Sequence, residues 1–251
     1  MQDEKILDYS LGNQSSVLSD VSKFRKVKIG MVKAVFIDFY GTVVHEDGEV
    51  IKKVTQEIFD TGKVKDKSEV GAYWWNEFQL AFNNSYGDNF KKQRELEYQS
   101  LDKTVQHFNS TADAKALSNL MFAHWIKPPI FKEAKQFFEI CPVPIYVVSN
   151  IDRDDVLKAI EFIGLKPNGV FTSEDAKSYK PRKELFEFAM NNTGLSARQV
   201  VHIGDSLSSD VKGASAVGIN AIWINRSGRE VPEGVNSVRD LLEVYNTDFF
   251  K

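Results

Sequence analysis

Five short runs of β-branched and aromatic residues recur along the chain with little polar interruption: "VKAVFIDF" (32–39), "PIYVVSN" (144–150), "GVFTSE" (169–174), "VVHIGDS" (200–206) and "NAIWINR" (220–226). Near-continuous apolar runs of this length are expected of strands buried on both faces in a parallel sheet. Between the later runs the period lengthens to that of a helix. "DRDDVLKAIEFIGL" offers Asp152 as an N-cap and sets Val156, Ile160 and Ile163 on one face. "PRKELFEFAMNNTG" opens with a proline in its first turn and stops at Gly194. "SSDVKGASAVG" repeats the pattern more weakly, with Ser208 or Ser209 as cap and Gly218 as terminator. Strand alternating with helix predicts an α/β fold, a doubly wound parallel sheet.

The interval between the first two runs breaks this rhythm. Residues 49–127 read as helices rich in aromatics, among them Tyr73, Trp74, Trp75, Phe78 and Phe82, with further helical stretches in "QRELEYQSLDKTVQHF" and "TADAKALSNLMFAHWI". A strand-to-strand crossover needs only one helix. The remainder is expected to be an inserted α-helical cap domain over the sheet end where Asp38 emerges, with "IFKEAKQFFEI" returning the chain. The core is then 31–48 and 128–251. Residues 1–30 are polar and weakly periodic, and read as a poorly ordered arm that resembles neither a secretion signal nor a transit peptide.

Composition narrows the partners. A net charge of −3 carries no basic footprint for nucleic acid, and no apolar run reaches a membrane span. The single cysteine, Cys141, allows no internal disulfide and no CxxC zinc site, which fits a reducing, cytoplasmic setting.

Ligands of open parallel sheets bind beyond the carboxyl ends of the strands. Three runs end there on polar groups: Asp38, then Ser149 and Asn150, then Asp205; Lys180 follows the third run in "SYKPRKELF". The ordered series "DFYGT…VSN…YKP…GDSLSSD" resembles the haloacid dehalogenase superfamily of hydrolases, most of them phosphatases, from about Val32 to Arg226. The resemblance implies a Rossmann-like core with a helical cap between its first and second motifs. It makes Asp38 a nucleophile forming a covalent aspartyl intermediate, and Lys180 the cation that neutralises the nucleophile and the phosphoryl oxygens. Thr42 and Ser149, with Asn150 beside them, would hold the phosphoryl group of a small phosphorylated substrate. Asp38, Asp205 and the backbone carbonyl of Tyr40 would ligate Mg²⁺, a hard cation suited to oxygen donors. Asp210 would be an outer metal ligand or an anchor for Lys180.

Tyr40 departs from the phosphatase pattern, which places a second aspartate there as general acid and base. A phenol ionises near pH ~10 in water and is a poor base at neutrality. D-x-Y-G-T is instead typical of the family's 2-haloacid dehalogenases, whose leaving halide needs no proton. Three departures weigh against that activity. "GDSLSSD" keeps both acids where dehalogenases carry a serine and an asparagine. "KDKSEVGAYWW" holds no arginine where they use one to bind the substrate carboxylate, and Phe186 stands at the position of their tyrosine after the motif-three lysine. The resemblance therefore favours a slow or specialised Mg²⁺-dependent phosphatase, with a metal-independent dehalogenase as runner-up and a non-catalytic binder on the same fold as a third reading. A monomer and a homodimer are both open. Duller roles stand beside these: Thr42 and Ser149 as turn caps, Asp210 as a first-turn acid, His202 as a packed core histidine, and Tyr73–Trp74–Trp75 as cap core.

Overall fold

The computed structural model describes residues 32–250, so the arm expected at 1–30 lies outside the described residues. Six strands form one sheet: β1 (Ala34–Ile37), β2 (Ile145–Ser149), β3 (Gly169–Thr172), β4 (Val200–Gly204), β5 (Asn220–Ile224) and β6 (Asn236–Val238). Their order is β3-β2-β1-β4-β5-β6, and every pairing is parallel. Successive strand residues face opposite sides, so each run feeds two cores. Val35, Ile37 and Phe39 pack with Val147, Val201, Ile203 and Ile222 on one face. Phe36 packs with Val148, Leu185, Phe186 and Trp223 on the other. The expected doubly wound α/β sheet is what forms, with one strand more than the five apolar runs. β6 is three residues, "NSV", aligned on β5 through Ile222–Asn236 and Ile224–Val238, and too short and polar to announce itself.

The described residues divide into two compact units, with the boundaries at Glu46/Asp47 and Ile126/Lys127. The first is all helix: α1 (Gly48–Thr61), α2 (Lys67–Asn83), α3 (Gln93–His107) and α4 (Ala114–Ile126). Their inward faces bury Val54 and Ile58, Val70 and Trp74, Leu96 and Leu101, and Met121 and Trp125. Of the aromatic run on α2 only Trp74 is buried; Tyr73 stacks on His107 at 3.9 Å, and Trp75 on Phe78 at 6.0 Å.

This helical interior also holds a carboxyl. Glu97 is 6% exposed; the Trp74 indole N–H donates to it, and its Oε1 has no partner among the described residues. Burial, with the charge of Asp47 added, pushes its carboxyl up to about 8 despite the Trp74 bond. A carboxyl raised on folding favours the protonated native state, so stability is greatest below the ordinary glutamate value and falls as pH rises toward about 8. Glu97→Gln should remove this slope, leaving the variant less stable on acidification relative to wild type and more stable at pH ~9. Urea midpoints that change equally with pH in both proteins would refute it.

In the second unit, α5 (Ala134–Ile140) precedes β2, α6 (Arg153–Ile163) joins β2 to β3, α7 (Ser173–Ala176) and α8 (Lys183–Thr193) lead to β4, and α9 (Gly213–Ala216) precedes β5. α6 buries the expected face, Val156, Ile160 and Ile163. Asp152 stands at its N-cap without a side-chain cap bond. Pro181 lies just outside α8, whose N-cap is Arg182, while Gly194 ends that helix in the left-handed region at φ 67°. The "SSDVKGASAVG" segment begins as a π-helical turn, Leu207–Lys212, capped by Ser206 rather than by Ser208 or Ser209. Ser206 is the last extended residue, and its Oγ accepts the Ser209 N–H at 3.1 Å. Among the described residues no helix is long and apolar enough to cross a membrane.

Candidate active site

The carboxyl ends of β1 and β4 lie side by side at the centre of the sheet, where the strand order changes direction. Asp38 follows β1, and its N–H donates to Ile203 O of β4 at 2.8 Å. The chain then curls: the N–H groups of Val43 and Val44 both donate to Phe39 O, at 2.8 and 3.0 Å, and Gly41 N–H donates to Val44 O at 2.7 Å. Gly41 sits at φ +88°, and a Cβ there would stand 2.5 Å from Asp205 Oδ2. Only glycine lets this loop approach the acid after β4.

Lys180, 1% exposed, ties the strand ends together. Its Nζ donates to Asp38 Oδ1 at 2.7 Å, Asp210 Oδ1 at 2.7 Å and Val148 O at 2.8 Å. Asp210 is further bonded by His202 Nε2 at 2.9 Å and by the Ser206 N–H at 3.0 Å. Thr42 Oγ1 lies 3.0 Å from Asp205 Oδ1 and 3.3 Å from Asp38 Oδ2. Its single proton favours the nearer acceptor, leaving Asp38 Oδ2 the less engaged oxygen of that carboxylate.

Burial of this cluster works against charge, and the ion pairs decide where charge survives. Desolvation alone would depress Lys180, but Asp210 and Asp38 outweigh it and hold the ammonium well above its ordinary value. Burial likewise opposes ionisation of Asp210, yet Lys180 and His202 prevail and keep its carboxyl below the usual range. Burial raises Asp38 to about 6 against the pull of Lys180. Burial also raises Asp205 well above a normal carboxyl, helped by the charges of Glu46, Asp38 and Asp210, with only the Thr42 hydroxyl opposing. One oxygen from each of Asp38, Asp205 and Asp210 lies within 4.8 Å of the others. A set of hard oxygen donors in charge excess fits a divalent cation such as Mg²⁺.

A model of the haloacid dehalogenase-like hydrolase family matches residues 32–218. The chain is a haloacid dehalogenase-like hydrolase. A 108-residue stretch is 33% identical to the HAD-hydrolase YfnB of Bacillus subtilis, covering 41% of this chain and 46% of that protein. The crystal structure of YfnB bound to magnesium superposes with a TM-score of 0.68 at 20% identity, over 86% of this chain and 97% of that one. The pyrimidine 5'-nucleotidase YjjG of Escherichia coli is 27% identical over 60% of this chain and 79% of its own. The (S)-2-haloacid dehalogenase of Pseudomonas sp. is 21% identical over 86% and 95%. The hydrolase thus stands among relatives of both kinds.

Within the hydrolase's second unit, Asp38, Thr42, Lys180, Asp205 and Asp210 are joined by direct contacts. Ser149 and Asn150, expected on the phosphoryl group, bond main chain. Ser149 Oγ accepts the Ile151 N–H at 3.3 Å, while the Asn150 carboxamide accepts the Lys180 N–H at 2.7 Å and donates to Lys180 O at 3.1 Å. Asn150 therefore aims the lysine. Tyr40 sits in the loop with its ring edge-on to Phe39 at 5.3 Å. Phe186 is fully buried, its ring edge-on to His202 at 5.1 Å, an apolar setting with no call for a hydroxyl. His202 is the residue whose part went unread: a core histidine that also carries Asp210. Strand alternation held the clue. His202 and Gly204 share a face of β4, and a Cβ on Gly204 would lie 2.2 Å from Asp210 Cγ.

Proposed function

We propose that this hydrolase is a magnesium-dependent phosphatase of small phosphate esters, working through an aspartyl-phosphate on Asp38. The observation that carries this reading is the approach of Asp205 to Asp38 and Asp210. Lys180 pairs the other two, so Asp205 is the added acid whose repulsion a further cation would relieve, and halide release needs no acid beyond the nucleophile. Asp38, Asp205 and the Tyr40 carbonyl would hold the ion, with Asp210 serving chiefly as the anchor of Lys180. Bound magnesium would neutralise the acids and polarise a phosphoryl oxygen.

In this reading Lys180 fixes Asp38 Oδ1, and Oδ2 attacks phosphorus. The new P–O bond forms as the ester P–O bond breaks, the electron pair leaving with the alcohol or phenol oxygen. Lys180, Thr42 and Ser149 offset charge on the transferred group. Water then attacks phosphorus, inorganic phosphate departs and the Asp38 carboxylate is restored. Without an aspartate at position 40, substrates with stable leaving anions, aryl or acyl phosphates, are favoured. The helical unit would act as the family's cap. We take the enzyme to be cytoplasmic, monomeric or homodimeric, and to act on a small molecule rather than on nucleic acid or membrane.

Tyr40 favours one second reading, dehalogenation, in which Asp38 attacks carbon, the halide leaves and water hydrolyses the ester. A panel of p-nitrophenyl phosphate, acyl phosphates, phosphorylated metabolites and 2-chloropropionate, each with Mg²⁺ and with EDTA, separates the two. The expected result is Mg²⁺-dependent phosphate release that Asp38→Asn abolishes. Turnover of 2-chloropropionate alone, unaffected by EDTA, would establish the dehalogenase instead.

A further inference from the structure

We propose that Arg226 and Arg229, on the segment leaving β5, are positioning residues that clamp the two catalytic loops by their main-chain carbonyls. The inference rests on the proposed site only in taking Thr42 and Asp205 as working side chains. The segment lies beyond the residues that the family model matches.

The two arginines repeat one arrangement. Arg226 Nη2 donates to Thr42 O at 2.8 Å, and its guanidinium lies 3.5 Å over the Phe131 ring. Arg229 Nη2 donates to Asp205 O at 3.3 Å, and its guanidinium lies 4.8 Å over the Trp223 ring, whose own Nε1–H donates to the same carbonyl at 2.7 Å. A planar cation over an aromatic face, with its edge N–H groups aimed at a carbonyl, is held at both its face and its rim. The turn between them is closed by Asn225, whose side chain accepts the Arg229 N–H at 2.9 Å and donates to Arg229 O at 2.7 Å. The main chain that carries the two arginines is thereby held in one turn.

The carbonyls they grip belong to residues that bond each other, Thr42 Oγ1 to Asp205 Oδ1 at 3.0 Å. The arginines thus set both ends of one hydrogen bond in the carboxylate cluster. Arg226 adds a second brace through Glu133, itself buried, at 2.7 Å. Phe131 N–H donates to Val43 O at 3.2 Å, and His45 N–H donates to Pro129 O at 2.8 Å. The chain that leaves the first motif and the chain that returns at 129–133 are therefore bonded to each other through their main chains, and Arg226 holds both. An anchor of this kind matters because a displacement of about 1 Å at reacting groups lowers rates on the order of 10²-fold.

The test compares Arg226→Met, Arg229→Met and the double variant, which keep the stems and remove the donors, with Arg226→Lys as the conservative change. The wild type and variants are assayed on p-nitrophenyl phosphate with Mg²⁺ and on 2-chloropropionate, alongside thermal melting and amide exchange of residues 41–46 and 204–209. Each single methionine variant is expected to lower kcat per folded molecule roughly 10- to 100-fold, with KM changing less than about threefold. Exchange should quicken in the corresponding loop. The double variant should fall little below the worse single one, because both act on one bond, and Arg226→Lys should recover part of the loss. Unchanged kcat per folded molecule in both single variants, or fully multiplicative losses, overturns the clamp. If the wild type releases phosphate from no member of the phosphate panel above and does not turn over 2-chloropropionate, the proposed function fails, and the clamp then stands or falls on whether loop exchange quickens while melting is little changed.

Discussion

Replacing Lys180 by methionine should lower turnover on the order of 10³-fold and destabilise the fold by about 3–5 kcal/mol. The ammonium is buried and serves three acceptors at 2.7–2.8 Å, two of them carboxylates. Methionine fills much of the volume but leaves Asp38 and Asp210 facing each other without their shared cation. Lys180 is the principal influence holding both carboxyls down against burial. Without it Asp38 becomes a poorer nucleophile at neutral pH, and the partial charge of a transition state loses its fixed counter-ion. Lys180→Arg should not rescue activity, since a forked, wider guanidinium cannot reproduce a point charge set by the Asn150 carboxamide. Urea denaturation and steady-state rates corrected for the folded fraction check both effects. A methionine variant as active per folded molecule as wild type would remove Lys180 from the chemistry.

The parts of this molecule that could be read along the chain share a physical origin. β1 and β4 announce themselves because both faces are buried, so apolar residues run on, interrupted only by His202 in β4, until Asp38 and the Gly204–Asp205 pair. The charged strand ends follow, because polar groups at that edge are the exception to an apolar rule. β6 escapes because three residues at the sheet edge need no such run. Arg226 and Arg229 escape for a different reason. Their bonds reach across 184 and 24 residues to main-chain carbonyls, which every residue possesses, so no side-chain pattern marks the partner. Asn150 shows the same limit from the other side: its position beside Ser149 suggests a substrate contact, whereas both ends of its amide meet the Lys180 backbone. Fixed spacing records chemistry repeated at strand ends; it carries no record of what holds those ends in place.

Tyr40→Asp should raise hydrolysis of an alkyl phosphate roughly 10²- to 10⁴-fold while changing that of p-nitrophenyl phosphate far less. The asymmetry comes from the leaving group. An alkoxide must be protonated as it departs, and the residue two places after Asp38 is where the family's phosphatases keep the acid that does so. A nitrophenolate leaves unaided, so an added acid has little to contribute. The new carboxyl would stand two residues after Asp38, in the loop that meets Asp205 at Gly41. Burial raises both acids, with Asp210 adding to Asp38 and with Glu46, Asp38 and Asp210 adding to Asp205. Such neighbours raise its own pKa toward neutrality, where a carboxyl can both give and recover a proton. Dehalogenation should respond in the opposite sense: halide needs no proton, and another negative charge repels a carboxylate substrate. Loss of the edge-on Phe39 contact will lower stability modestly, by about 0.5–1.5 kcal/mol, so rates are compared at matched folded fractions. Equal gains on both phosphates would point to loop repacking, and no gain on either would show that the first step is not limited by proton delivery. A selective gain on the alkyl ester would identify Tyr40 as the residue that narrows this site to substrates able to leave without help.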